Sequence, residues 1–148
     1  MEELETWKTE LMKEIELSNY SLSEPVIKYS TSKRYQENIL LRLTFEFALD
    51  CIRFTKKVKN EGHSVLAHQL FKSSTSVGAN SKEAQNAESK ADFIHKLKIA
   101  LKEADESEYW LFLCENLEDC SSPDHLIGKL SVIQKILTKI ISTSKTRK

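Results

Sequence analysis

The fold is decided by one stretch, HSVLAHQLFKSSTSVGANSKEAQNAESKADFIHKLKIALKEADESEYWLFLCENLE, residues 63–118. It reads as two helices joined by a turn at Ala87-Glu88-Ser89-Lys90. Ser89 precedes Asp92 by three residues, a capping-box spacing with Asp in place of Glu. Beyond it, Phe93, Leu97, Ala100, Leu101, Ala104, Leu111 and Cys114 recur at three-, four- and seven-residue spacings, the period of a helix with one apolar face. Ile94, Trp110, Phe112, Leu113 and Leu117 widen that face, so this helix is expected to meet neighbours on more than one side.

The helix before the turn is different. Val65, Leu66, Leu70, Val77, Ala84 and Ala87 give it an apolar stripe, but its middle is Lys72-Ser73-Ser74-Thr75-Ser76-Val77-Gly78-Ala79-Asn80. Gly and Ser are weak helix formers, so a loop competes with a helix here. A phosphate cradle would need a Gly-x-x-x-x-Gly-Lys-Ser/Thr pattern, and only one Gly is present. Small residues at one-turn spacing, Ser74 with Gly78 and Ser73 with Val77, instead predict a helix against which another backbone packs closely.

Those residues carry a resemblance. Gln69 to Asn80, then Glu83-Ala84, then Asp92 to Ala100, are similar to the bacterial four-helix-bundle family of 23S ribosomal RNA intervening-sequence proteins. The accessory variability determinant of diversity-generating retroelements is similar too. The likeness runs over about residues 35–141 and is sharpest over the central pair. Lys72 stands where that family usually has Arg, and Ala84 where many members have Gly. The resemblance implies a ring-like pentamer without enzymatic activity. It also implies a basic ring surface that engages RNA or DNA and a protein acting on it.

With 148 residues, three Gly and two Pro, the chain suits long elements around a single core. The expected fold is all-α: an antiparallel up-down four-helix bundle over residues 34–148, with an additional N-terminal amphipathic helix. Bundle helices are expected at 34–60, 64–87, 90–118 and 122–143. Leu40, Leu43, Phe47, Cys51, Phe54 and Val58 form one stripe of the first, and Leu41, Ala48 and Ile52 a second. Gly62 suits a left-handed cap, Ser64 the next N-cap, and Ser122-Pro123 the start of the last helix. Leu126, Leu130, Ile133, Leu137 and Ile140 line that helix, and residues 142–148 read as a frayed basic tail.

Residues 1–33 are expected to form a helix and linker packed on the bundle or on a neighbouring subunit. Leu4, Trp7, Leu11 and Ile15 make the stripe of the helix, and the linker is Ser-rich with Pro25. No apolar run approaches the ~20 residues of a membrane span. No basic-then-apolar leader follows Met1, which predicts a cytoplasmic protein. Cys51, Cys114 and Cys120 lack metal or redox spacing and are expected as reduced thiols.

Formal net charge is zero, but the charge is unevenly spread. Residues 1–24 hold seven acids (Glu2, Glu3, Glu5, Glu10, Glu14, Glu16, Glu24) and two bases, Lys8 and Lys13. Residues 121–148 hold six bases and one acid, Asp124. A polyanion or the chain's own acidic end could match the basic end. The nucleic-acid-binding candidates are Arg53, Lys56, Lys57 and Lys59, with Lys139, Lys145, Arg147 and Lys148 of the tail. The acidic arm is the candidate for docking a protein partner. Gln69, Lys72, Ser73, Ser76, Asn80, Glu83 and Glu108 are expected to form a polar network fixing helix register or a subunit interface. In it, Glu108 would be held by Lys72 or Asn80.

No catalytic, cofactor or metal residues are predicted. A di-iron bundle needs two carboxylate-x-x-His pairs, and only Asp92-x-x-His95 occurs. The serine cluster has no matching base and no nucleophile elbow.

Overall fold

The computed structural model describes residues 37–146. The chain divides into two units, Met1–Glu37 and Asn38–Lys148. The expected N-terminal helix and linker, with Arg147 and Lys148, lie outside the described residues. Four helices follow in order: α1 (Ile39–Asn60), α2 (Ser64–Ala84), α3 (Lys90–Asn116) and α4 (Asp124–Thr146). Each packs on the next in sequence, and α1 closes the ring against α4. Short connections between consecutive helices make this an up-down bundle.

The helix ends show how local sequence sets the fold. Asn38 caps α1, its side-chain oxygen accepting from Leu41 N at 3.2 Å, so α1 starts later than the expected Arg34. Gly62 adopts φ +98°, the left-handed conformation that Gly alone enters without a Cβ penalty. The N-cap of α2 is His63, not Ser64, and no side chain caps it. The α2 helix stops at Ala84 because Gln85, Asn86 and Ala87 donate to carbonyls three residues back, tightening the last turn. Ser89 Oγ accepts from Asp92 N at 3.1 Å. The Asp92 carboxylate accepts from Glu88 N at 3.2 Å, one residue before the cap that an ordinary capping box serves.

Two boundaries of α4 differ from expectation. Its first intrahelical bonds run to Pro123 O, from Leu126 at 2.8 Å and Ile127 at 3.1 Å. Pro123 is therefore the cap, and Ser122 lies outside the helix. At the far end, residues 142–146 are helical rather than frayed, and Ser142 and Thr146 hydroxyls bond back to Lys139 and Thr143 carbonyls at 3.0 Å.

The core is the set the spacing predicts: Leu43, Phe47, Cys51 and Val58 of α1, Leu70 and Val77 of α2, Leu97 and Leu111 of α3, and Leu130, Ile133 and Leu137 of α4 are all buried. Val65, Phe112 and Leu117 are not, being 75, 43 and 38% exposed. They were expected on apolar faces and instead look outward. Burial pushes the Cys51 and Cys114 thiols up to about 12, and all three cysteines are free.

The polar middle of α2 is helical and packed. A Cβ on Gly78 would sit 3.4 Å from the backbone oxygen of Thr44, so α1 passes that glycine closely. Buried hydroxyls are satisfied locally: Ser81 donates to Val77 O at 2.8 Å and Thr44 to Leu40 O at 2.8 Å. Such bonds to carbonyls a turn back let hydroxyls enter a core without an unpaired donor.

Candidate nucleic-acid interface

The surface with the strongest chemical character is the α1–α2 hairpin. From Cys51 to Lys82 the chain carries Arg53, Lys56, Lys57, Lys59, Lys72 and Lys82 against a single acid, Glu61. Helix α2 from Ser64 to Lys82 carries no acid at all. Lys56, Lys57 and Lys59 are exposed, and among the described residues no carboxylate lies within ion-pair distance of any of them. Arg53 differs. Its Nη1 is 3.1 Å from Asp50 Oδ1, and Lys129 Nζ of α4 lies 2.6 Å from Asp50 Oδ2. Asp50 thus holds two cations and joins α1 to α4.

Glu61, the acid of this hairpin, is also engaged. Its carboxylate accepts from Ser121 N at 2.9 Å and from the Ser121 hydroxyl. These bonds hold its carboxyl below the usual carboxylate value. His63 Nε2 lies 3.0 Å from Asp119 Oδ1. The α1–α2 turn is therefore tied to the α3–α4 connection.

Lys139 and Lys145 of α4 are exposed as well, but the bundle does not bring them to the α1 cluster. Asp50 and Lys129 mark the level at which the antiparallel α1 and α4 cross. From there Lys56 lies toward one end and Lys139 toward the other, roughly 20–25 Å apart at 1.5 Å per residue. One chain has two separate basic surfaces.

The expected polar network is not one network. Ser73 is its one member with a cross-helix hydrogen bond among the described residues: Ser107 of α3 donates to Ser73 Oγ at 2.9 Å, and Ser73 donates to Leu70 O at 3.3 Å. Ser76 donates to Lys72 O and Asn80 to Ser76 O, each at 2.8 Å, within their own helix. Glu83 is exposed, 3.9 Å from Lys96. Lys72 is exposed and Gln69 half-buried. Glu108 is half-buried, and neither proposed partner bonds it: Asn80 is turned to its own helix and Lys72 faces solvent. The residue that sequence reasoning missed is Ser107. It continues the spacing Ala100, Ala104, Leu111, Cys114 without a break, and that register was the available signal.

Among the described residues no group of three or more His, Cys, Asp or Glu is arranged to hold a metal ion. No described helix is long and apolar enough to cross a membrane.

These features define an all-helical up-down bundle with a basic, acid-poor hairpin on one side. The chain belongs to the 23S rRNA-intervening sequence protein family, whose model matches residues 36–139. It is similar to a crystal structure of a protein of unknown function from the S23 ribosomal protein family of Bacteroides thetaiotaomicron VPI-5482. The two are 40% identical over 70% of this chain and 98% of that one, with a TM-score of 0.66. No curated protein matches.

Proposed function

We propose that this protein is a non-enzymatic, homo-oligomeric bundle that binds RNA or DNA through the basic end of α1 and the adjoining face of α2. The observation that carries this reading is the triad Lys56, Lys57 and Lys59, exposed and without ion partners among the described residues, beside a helix that lacks acids up to Lys82. A zero net charge does not oppose it. Phosphate attraction depends on the local field at the contact, and seven of the chain's acids lie in residues 1–24, away from α2 in sequence. The family description refers to an intervening sequence of 23S rRNA, a nucleic-acid setting for such a surface. Exposed Tyr109 supports assembly of copies. Assembly would also multiply the basic surface, and a pentamer is the number the resemblance implies. Lys139 and Lys145 form the second surface, with Arg147 and Lys148 continuing it in sequence.

The test is a titration of the full chain with structured RNA and duplex DNA at several salt concentrations. Binding should weaken with a log–log slope of about −0.9 per duplex phosphate contact. Alanine at Lys56, Lys57 and Lys59 together should cut that slope by roughly three contacts. No binding at low salt overturns the reading. It would favour a scaffold that binds protein, for which the exposed Tyr109 and Phe112 of the acidic α3 and the acidic arm at residues 1–24 are the surfaces. Deletion of residues 1–30 separates the two, because only a protein-docking arm would lose its partner.

A further inference from the structure

The α1–α2 face is not flat. A groove of about 410 Å³ runs between the two helices. Ile52, Lys56 and Lys59 line one wall, and Ser64, His68 and Phe71 the other. Both rows fall at i, i+4 and i+7, the positions that share one helix face. The groove therefore runs along the helices for about 10 Å. Its composition is graded. Lys56, Lys59 and the first turn of α2 gather at one end, where no side chain caps the helix. Ile52 and the 44% exposed Phe71 make the other end apolar and aromatic.

Resting on the nucleic-acid reading above, we infer that this groove takes unpaired nucleotides, with a base stacked on Phe71 and the phosphates on Lys56 and Lys59. A duplex hides its base faces and would use only the lysines. A single strand uses both, because every base has a face to stack and each nucleotide a phosphate to neutralise. The uncapped N-terminus of α2 adds to the lysines, since its backbone N–H groups and dipole favour an anion. An acidic peptide would satisfy the cations but has no general need of an aromatic face at the far end. Cations at one end of the groove and a ring at the other fit a nucleotide better.

The experiment uses the full chain and a short single-stranded oligonucleotide carrying 2-aminopurine, whose fluorescence falls when the base stacks, beside a duplex of the same length. Phe71→Ala should weaken single-strand binding roughly tenfold or more, abolish the quench and leave duplex binding unchanged. Phe71→Tyr should restore both. Lys56→Ala with Lys59→Ala should weaken both forms and flatten the salt dependence. If Phe71→Ala binds and quenches like the parent, the groove assignment is wrong while the basic-surface reading stands. If the unmodified chain binds neither form at low salt, both fall. If light scattering shows that Phe71→Ala lowers the subunit number, the groove is an interface between copies and the assignment is overturned.

Discussion

Helices α2 and α3 pack directly on each other, and on that interface they use similar means. Small residues, Ser73 and Ala84 on one side and Ala100, Ala104 and Ser107 on the other, are buried between larger Leu70, Leu97 and Leu111. Away from it they diverge. Outward, α2 carries no acid from Ser64 to Lys82, whereas α3 exposes Asp105, Glu106 and Glu115 among Lys90, Lys98 and Lys102. Common packing needs force the inner faces to agree. Nothing in packing forces the outer faces apart, so the charge difference is where function is most readily sought.

The largest expected effects test whether the inner faces are equivalent. Leu70→Ala and Leu111→Ala each remove a fully buried side chain, one per helix. Each should destabilise by about 2–5 kcal/mol, read from denaturant midpoints at constant slope. Similar losses would sustain the equivalence. A Leu70→Ala cost well under half that of Leu111→Ala would show that the serine-rich helix is the softer partner and break the comparison.

Gly78→Val should cost less, about 1–3 kcal/mol. The first added carbon already meets the Thr44 carbonyl at 3.4 Å, and a branched side chain leaves it no room to retreat. Gly78→Ala should be far milder, because that contact sits at the edge of ordinary van der Waals distance and Ala restores helix propensity. A thermal melt of both variants checks the ordering. If Val and Ala behave alike, α1 and α2 do not approach as closely as the backbone positions indicate.

How far these features could be read from the sequence depended on whether they repeat. The four helices follow from spacing, and Ser89, Gly62 and the core leucines fall where their residue types require. Phe112 and Leu117 were misplaced because a wide apolar face does not reveal which part of it has a neighbour. Ser107 was overlooked in favour of Glu108 because a charged residue beside a stripe draws attention that a serine inside one does not. The separation of the two basic surfaces was available in principle: in an up-down bundle the C-terminal ends of the first and fourth helices lie at opposite ends. The groove was not available. Its rows are ordinary helical positions, and only their juxtaposition joins Lys56 and Lys59 to Phe71.

The smallest expected effect concerns Glu61, the lone acid between Cys51 and Lys82, and it sharpens the charge half of the comparison. Ser121 holds the Glu61 carboxylate below its ordinary value of 4.5. A carboxyl group lowered on folding stabilises the native state above its unfolded pKa, and that contribution is lost as pH falls through the folded value. Glu61→Gln should therefore lower the melting temperature slightly at neutral pH, and the gap to the parent should close on acidification below 4.5. The same variant removes the negative charge nearest Lys57, so nucleic-acid affinity should rise modestly at low salt as stability falls. A gap that stays constant with pH would mean that Gln holds Ser121 differently but without any contribution from charge. The α1–α2 hairpin would then owe its tie to the α3–α4 connection to hydrogen-bond geometry, and Glu61 would be electrostatically idle.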